Sequence, residues 1–125
     1  MIEIYDDSIV IAMDRCVYNI KVKDIVCIEV HDRKTLMLTT GEAVIVNKKL
    51  GYFKEEFKSF PFSQPHSSYL VNLEYVTYFD DKVVKLKYGQ ESYQVYMSQR
   101  GYKSFKQDFL DYMELKKQRG KEEAI

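Results

Sequence analysis

Apolar residues along this chain come mostly in short runs separated by turn chemistry. Residues 2–5, 9–13, 17–22, 25–30, 36–39 and 43–46 each have strand length. Asp6-Asp7, Asp14-Arg15, residues 31–34 and Thr40-Gly41 stand between them. Asp and Gly suit such places because they tolerate turn backbones and bond locally. Residues 69–71 and 76–79 also read as extended. Further on, Val84, Leu86 and Tyr88 alternate with Lys85 and Lys87, and Tyr93, Val95 and Met97 alternate with Gln94 and Tyr96. A period of two puts one face of each strand in a core. Asp80-Asp81 and Gly89-Gln90 supply the intervening turns.

Two segments change period. Within 48–57, Leu50, Phe53 and Phe57 recur at helical spacing, which predicts a short amphipathic helix with Lys48, Lys49, Lys54 and Lys58 outward. Pro61 and Pro65 then bracket a loop. Near 99–117, Tyr102, Phe105, Phe109, Tyr112 and Met113 form one apolar stripe, so a second helix is expected to cover the sheets. Residues 118–125 are charged, contain Gly120 and read as a frayed tail. Many short strands with two helices predict a mainly β, antiparallel fold.

One stretch is more specific. Residues 64–73 read QPHSSYLVNL, a Pro-His-Ser-Ser turn entering the run Tyr69, Leu70, Val71 and ending at Asn72. Later, Met97-Ser98-Gln99-Arg100 joins an alternating strand to a helix. This pair of junctions resembles the LytTR family of bacterial DNA-binding domains, worded there as H-R-S-Y-L-V-N and S-x-R. Asp24-Ile25 with Ile28-Glu29 is similar to the family's D-I-x-Y-I-E start, with Cys27 where an aromatic is common. Leu50 and Phe53 fall where the family places its short helix, and Phe62 stands for the aromatic before the histidine turn. The resemblance covers nearly the whole chain and implies an elongated stack of small antiparallel sheets forming one domain over 1–117. No receiver domain is expected upstream, so phosphorylation control within the chain is not expected.

The resemblance also implies where DNA would be met, since LytTR-type domains push loops from sheet ends into successive major grooves. The first loop offers Arg33 and Lys34, continuing to Thr35. Arg33 and Lys34 can reach phosphates, and an Arg can pair with guanine O6 and N7. The second offers His66 and Ser67. The family most often has Arg after the histidine, and the short Ser67 hydroxyl discriminates bases poorly. His66 can hydrogen-bond within its turn or touch a phosphate, and Asn72 can satisfy loop backbone groups. The third is Ser98-Gln99-Arg100 with Lys103. Ser98 suits an N-cap, helix N-terminal amides attract phosphate, and Arg100 matches the family's contact arginine. Lys48, Lys49 and Lys82 are secondary phosphate candidates.

Composition adjusts this picture only modestly. The 125 residues, 46 % hydrophobic, suffice for one domain with a packed core. Nineteen basic and nineteen acidic residues cancel, whereas nucleic-acid binders usually carry a basic excess. Distribution softens this: residues 31–68 and 98–125, which hold the candidate loops, are each +2, while 1–30 are −3 and 69–97 are −1. No run approaches the roughly 18 apolar residues of a membrane span, and the acidic start lacks a secretion signal, so a cytoplasmic protein is expected. Cys16 and Cys27 lack metal-ligand spacing and read as reduced core thiols.

No cofactor, metal or small-molecule substrate is expected, and no catalysis. His66 beside serines and His31 beside Asp32 do not make a nucleophile–base pair, because neighbours on an extended segment point to opposite faces. The expected partner is double-stranded DNA, met by a homodimer on repeated half-sites, with a separate inhibitor or partner regulator in place of a receiver. The competing reading is a protein-interaction module of the same fold that has lost DNA binding, suggested by neutral charge, Ser67 and tyrosines such as Tyr52 and Tyr96. The two readings part on whether residues 31–34, 66–67 and 100–103 emerge together.

Overall fold

A computed structural model describes residues 1–123. Among these described residues, eleven strands form three antiparallel sheets. Strands β1 (Ile2–Tyr5), β2 (Ser8–Ala12) and β3 (Val17–Lys21) make an N-terminal meander. The central sheet has five strands: β4 (Ile25–His31), β5 (Lys34–Thr39), β6 (Ala43–Val46), β7 (Phe62–His66) and β8 (Tyr69–Asn72), in the order β6-β5-β4-β8-β7. A second meander follows from β9 (Val76–Phe79), β10 (Val83–Tyr88) and β11 (Glu91–Tyr96). Helix α1 is Leu50–Glu56 and helix α2 is Gln99–Glu123.

The central sheet is covered on both faces, which explains the unbroken apolar run at the start of β4. Ile25 and Ile28 face a core shared with the first meander, where Phe53 of α1 and Phe57 just after it are fully buried. Val26 and Cys27 face a second core with Val84, Leu86 and Val95 of the second meander and Phe105 of α2. A register shift between Ile25 and Cys27 lets neighbouring residues serve both cores. Asn72 closes β8 from a buried position. Its amide donates to the Ile25 carbonyl at 2.9 Å and its oxygen accepts from Glu74 N–H at 3.0 Å.

Four expectations change. The segment between Pro61 and Pro65 is not a loop but forms most of β7. Proline is tolerated because β7 is an edge strand, and the register shift between Ser63 and His66 removes the need for a donor at Pro65. Helix α2 continues past Lys117 to Glu123, since a lone Gly120 among good helix formers costs only about 1 kcal/mol. Of the expected frayed tail, Ala124 and Ile125 lie outside the described residues. Met113 is exposed rather than part of the buried stripe, because the helix turns it away from Phe105, Phe109 and Tyr112. Cys16 is exposed in the β2–β3 turn, and only Cys27 is a core thiol, pushed up to about 12 by burial and therefore unreactive.

Candidate nucleic-acid interface

One end of the central sheet collects the charged loops. At β4–β5, His31 pairs with Lys34 around a two-residue turn of Asp32 and Arg33, with φ of 52° and 64°. Two left-handed residues make a type I′ turn, which matches strand twist but favours Asn-Gly. Arg33 holds a left-handed backbone that costs a residue with a Cβ about 1–2 kcal/mol. Its side chain and that of Lys34 are exposed.

The β7–β8 turn is built differently. His66 Nδ1 accepts from Ser68 N–H at 3.0 Å, and its ring lies against Tyr69 with centroids 5.5 Å apart. Gln64 donates to the Ser67 carbonyl at 3.2 Å and accepts from Lys54 Nζ of α1 at 2.9 Å. His66 is thereby committed to shaping the turn, while Ser67 is exposed at its tip. The two turns are neighbours, since Val30 N–H donates to the Ser68 carbonyl at 2.9 Å.

Helix α2 starts against the same turn. Ser98 N–H and its hydroxyl both donate to the Pro65 carbonyl, at 2.9 and 3.1 Å. Ser98 Oγ in turn accepts from Gly101 N–H at 2.9 Å, the N-cap bond expected from the sequence. A methyl group on Gly101 would overlap the Pro65 carbonyl, so this close approach needs glycine. Arg100 and Ser67 consequently line one open groove, walled by Lys54 of α1, by Lys58 just beyond it, and by Ser104 and Asp108 of α2. Asp108 accepts from the buried Ser63 hydroxyl at 2.6 Å, which ties α2 to the β7 edge.

On the other flank, Val46 pairs with Thr35, so Lys48 follows β6 at the same sheet end. Arg33, Lys34 and Lys48 line a second open groove. Lys49 is exposed just before α1 and Lys103 is exposed one turn beyond Arg100, but neither lines these two grooves. Lys82 lies on the β9–β10 turn, and its carbonyl accepts from Met97 N–H at 2.8 Å beside the entrance to α2.

Thr35 sits differently from Arg33 and Lys34. It is only 5 % exposed, because β5 alternation places it with Met37 and Thr39 on the buried face. Lys54 and Gln64, by contrast, had no signal in the sequence as site residues. Only the packing of α1 beside the β7–β8 turn brings them there.

Electrostatics leave the charges of this end available. Ion pairs among the described residues are Lys21–Asp7, Lys58–Glu55 and Lys116–Glu74. None uses Arg33, Lys34, Lys48, Lys49, Lys82, Arg100 or Lys103. Lys48 Nζ sits over the Tyr52 ring at 4.9 Å, a contact that orients it without neutralising it.

The model of the LytTr DNA-binding domain family matches residues 15–109. Among solved structures, the chain is similar to the LytTr DNA-binding domain of a protein from Bacillus cereus described as a methyl-accepting/DNA response regulator. The TM-score is 0.69 at 16 % identity, over 83 % of this chain and 97 % of that one. At that identity the likeness is one of fold. No curated protein matches the chain.

Proposed function

Because the chain belongs to the LytTR family of DNA-binding domains, we propose that it is a sequence-specific transcriptional regulator that contacts successive major grooves through the loops of one sheet end. The observation that carries the reading is the convergence of the β4–β5 turn, the β7–β8 turn and the start of α2, with cations left free of carboxylates. Arg33 and Arg100 read base edges or grip phosphate, while Lys34, Lys48, Lys49, Lys82 and Lys103 hold the backbone. His66 sets the shape of its turn and Ser67 adds a weakly selective contact. Two copies on repeated half-sites supply the affinity that these few contacts lack. The protein works in the cytoplasm, and no helix of the described residues is long and apolar enough to cross a membrane.

Selection of genomic fragments with the purified protein tests this directly. A repeated motif should be enriched. Affinity for it should fall with salt at a log–log slope of about −4 to −5 if about five phosphates are neutralised. Arg100→Ala should weaken binding by about 1–3 kcal/mol without changing the melting temperature. Equal affinity in that variant, or no enrichment from low to physiological salt, would refute the reading.

A further inference from the structure

The groove holding Arg33, Lys34 and Lys48 has a floor that DNA does not explain. It is an open trough of about 800 Å³ between the first meander and the outer strand of the central sheet. Met1, Met13 and Ile45, which line it, are 69 %, 41 % and 57 % exposed. Phosphate oxygens gain nothing from such surface, whereas apolar side chains do. Among the described residues no acidic one lines the trough, and its charged side chains are all cations.

Its walls add a second feature. Strand β6 is the edge of the central sheet and β1 the edge of the first meander, so both present free backbone groups. Edge strands are usually blunted by charge, proline or a bulge. The β6 sequence Ala-Val-Ile-Val has no charge or proline, and its pairing with β5 runs without a register shift. An extended peptide can therefore add to β6 through its main chain, with alternate side chains on the apolar floor.

We propose that this trough docks an extended peptide of another protein in which apolar and acidic residues alternate, and that the bound peptide keeps DNA from Arg33 and Lys34. The occlusion rests on the DNA-binding reading above; the docking does not. Apolar residues of the peptide cover Met13 and Ile45, while its carboxylates meet Arg33, Lys34 and Lys48. Occupancy thus withdraws two of the cations that hold DNA, which makes the trough a site for negative regulation.

The experiment is a selection from a displayed library of ten-residue peptides alternating Val or Ile with Glu or Asp, against the full chain. The tightest peptide is then synthesised and mapped by backbone amide NMR shifts. Shifts should centre on residues 43–48 and 33–34. Ile45→Lys, at an exposed position that leaves the fold intact, should weaken binding by about tenfold, the scale of a lost central contact. Lys48→Glu should weaken it similarly, and proline within the peptide should abolish it if main-chain pairing is used. The peptide should also compete with a DNA duplex for the native chain.

Several results would overturn the proposal: no enrichment over the Ile45→Lys chain, shifts that map elsewhere, or concentration-dependent self-association abolished by Ile45→Lys. The last would assign the trough to a second copy. Peptide binding at β6 in a chain that binds no DNA would instead remove the DNA-binding reading and leave the docking site standing.

Discussion

The β4–β5 and β7–β8 turns sit side by side at one sheet end, yet they are made in opposite ways. The first is two residues long, has no side-chain hydrogen bond among the described residues, and carries a long cation on left-handed backbone. The second is held by His66, Gln64, Lys54 and the Pro65–Ser98 junction, and exposes only the short side chain of Ser67. One turn is strained without support, and the other is supported without reach. Backbone strain of this kind often collects at functional sites, so Arg33 is where the proposed DNA contact is tested most directly. The β7–β8 turn instead anchors the start of α2, on which Arg100 lies.

This contrast can be broken by substitution. Gly101→Ala should have the largest effect, since the added methyl meets backbone rather than a flexible side chain. Pushing α2 off the β7–β8 turn should cost about 3 kcal/mol in urea unfolding and lower DNA affinity as well. His66→Ala should cost about 1–2 kcal/mol, because Ser68 N–H loses its acceptor and Tyr69 its neighbour. Its DNA binding should fall only through misplacement of the turn. Arg33→Gly should have the opposite sign in stability, raising it by about 1 kcal/mol through relief of left-handed strain. The same variant should bind DNA more weakly, and unchanged binding would show that the strain has no such purpose. Lys82→Ala should barely alter melting but reduce the salt slope by about 1, as expected for one phosphate contact.

The elements that could be read from the chain are those whose signal is local. Alternation at Val84–Tyr88 and at Tyr93–Met97, helical spacing at Leu50, Phe53 and Phe57, and turn chemistry at Gly89 (φ 58°) each reside within a few residues. Ser98 as N-cap and Asn72 as strand closure were legible for the same reason. Strand β7 was not, because Pro65 argues against a strand unless the residue lies on an edge and in a register shift. Nor was the burial of Thr35, since polarity pointed outward while alternation on β5 turned it inward.

The sequence by itself determined the antiparallel β class, the two helices, the turn residues and the family to which the chain belongs, because these follow from local periodicity and short motifs. Tertiary structure alone decided that loops distant along the chain share one sheet end and that Lys54 and Gln64 belong with Ser67. It also decided that Gly101 must lack a side chain, and that an apolar trough lies beside Arg33. The physical reason is that strand order and helix docking are set by which apolar faces bury one another across long separations, and no short window of residues carries that information.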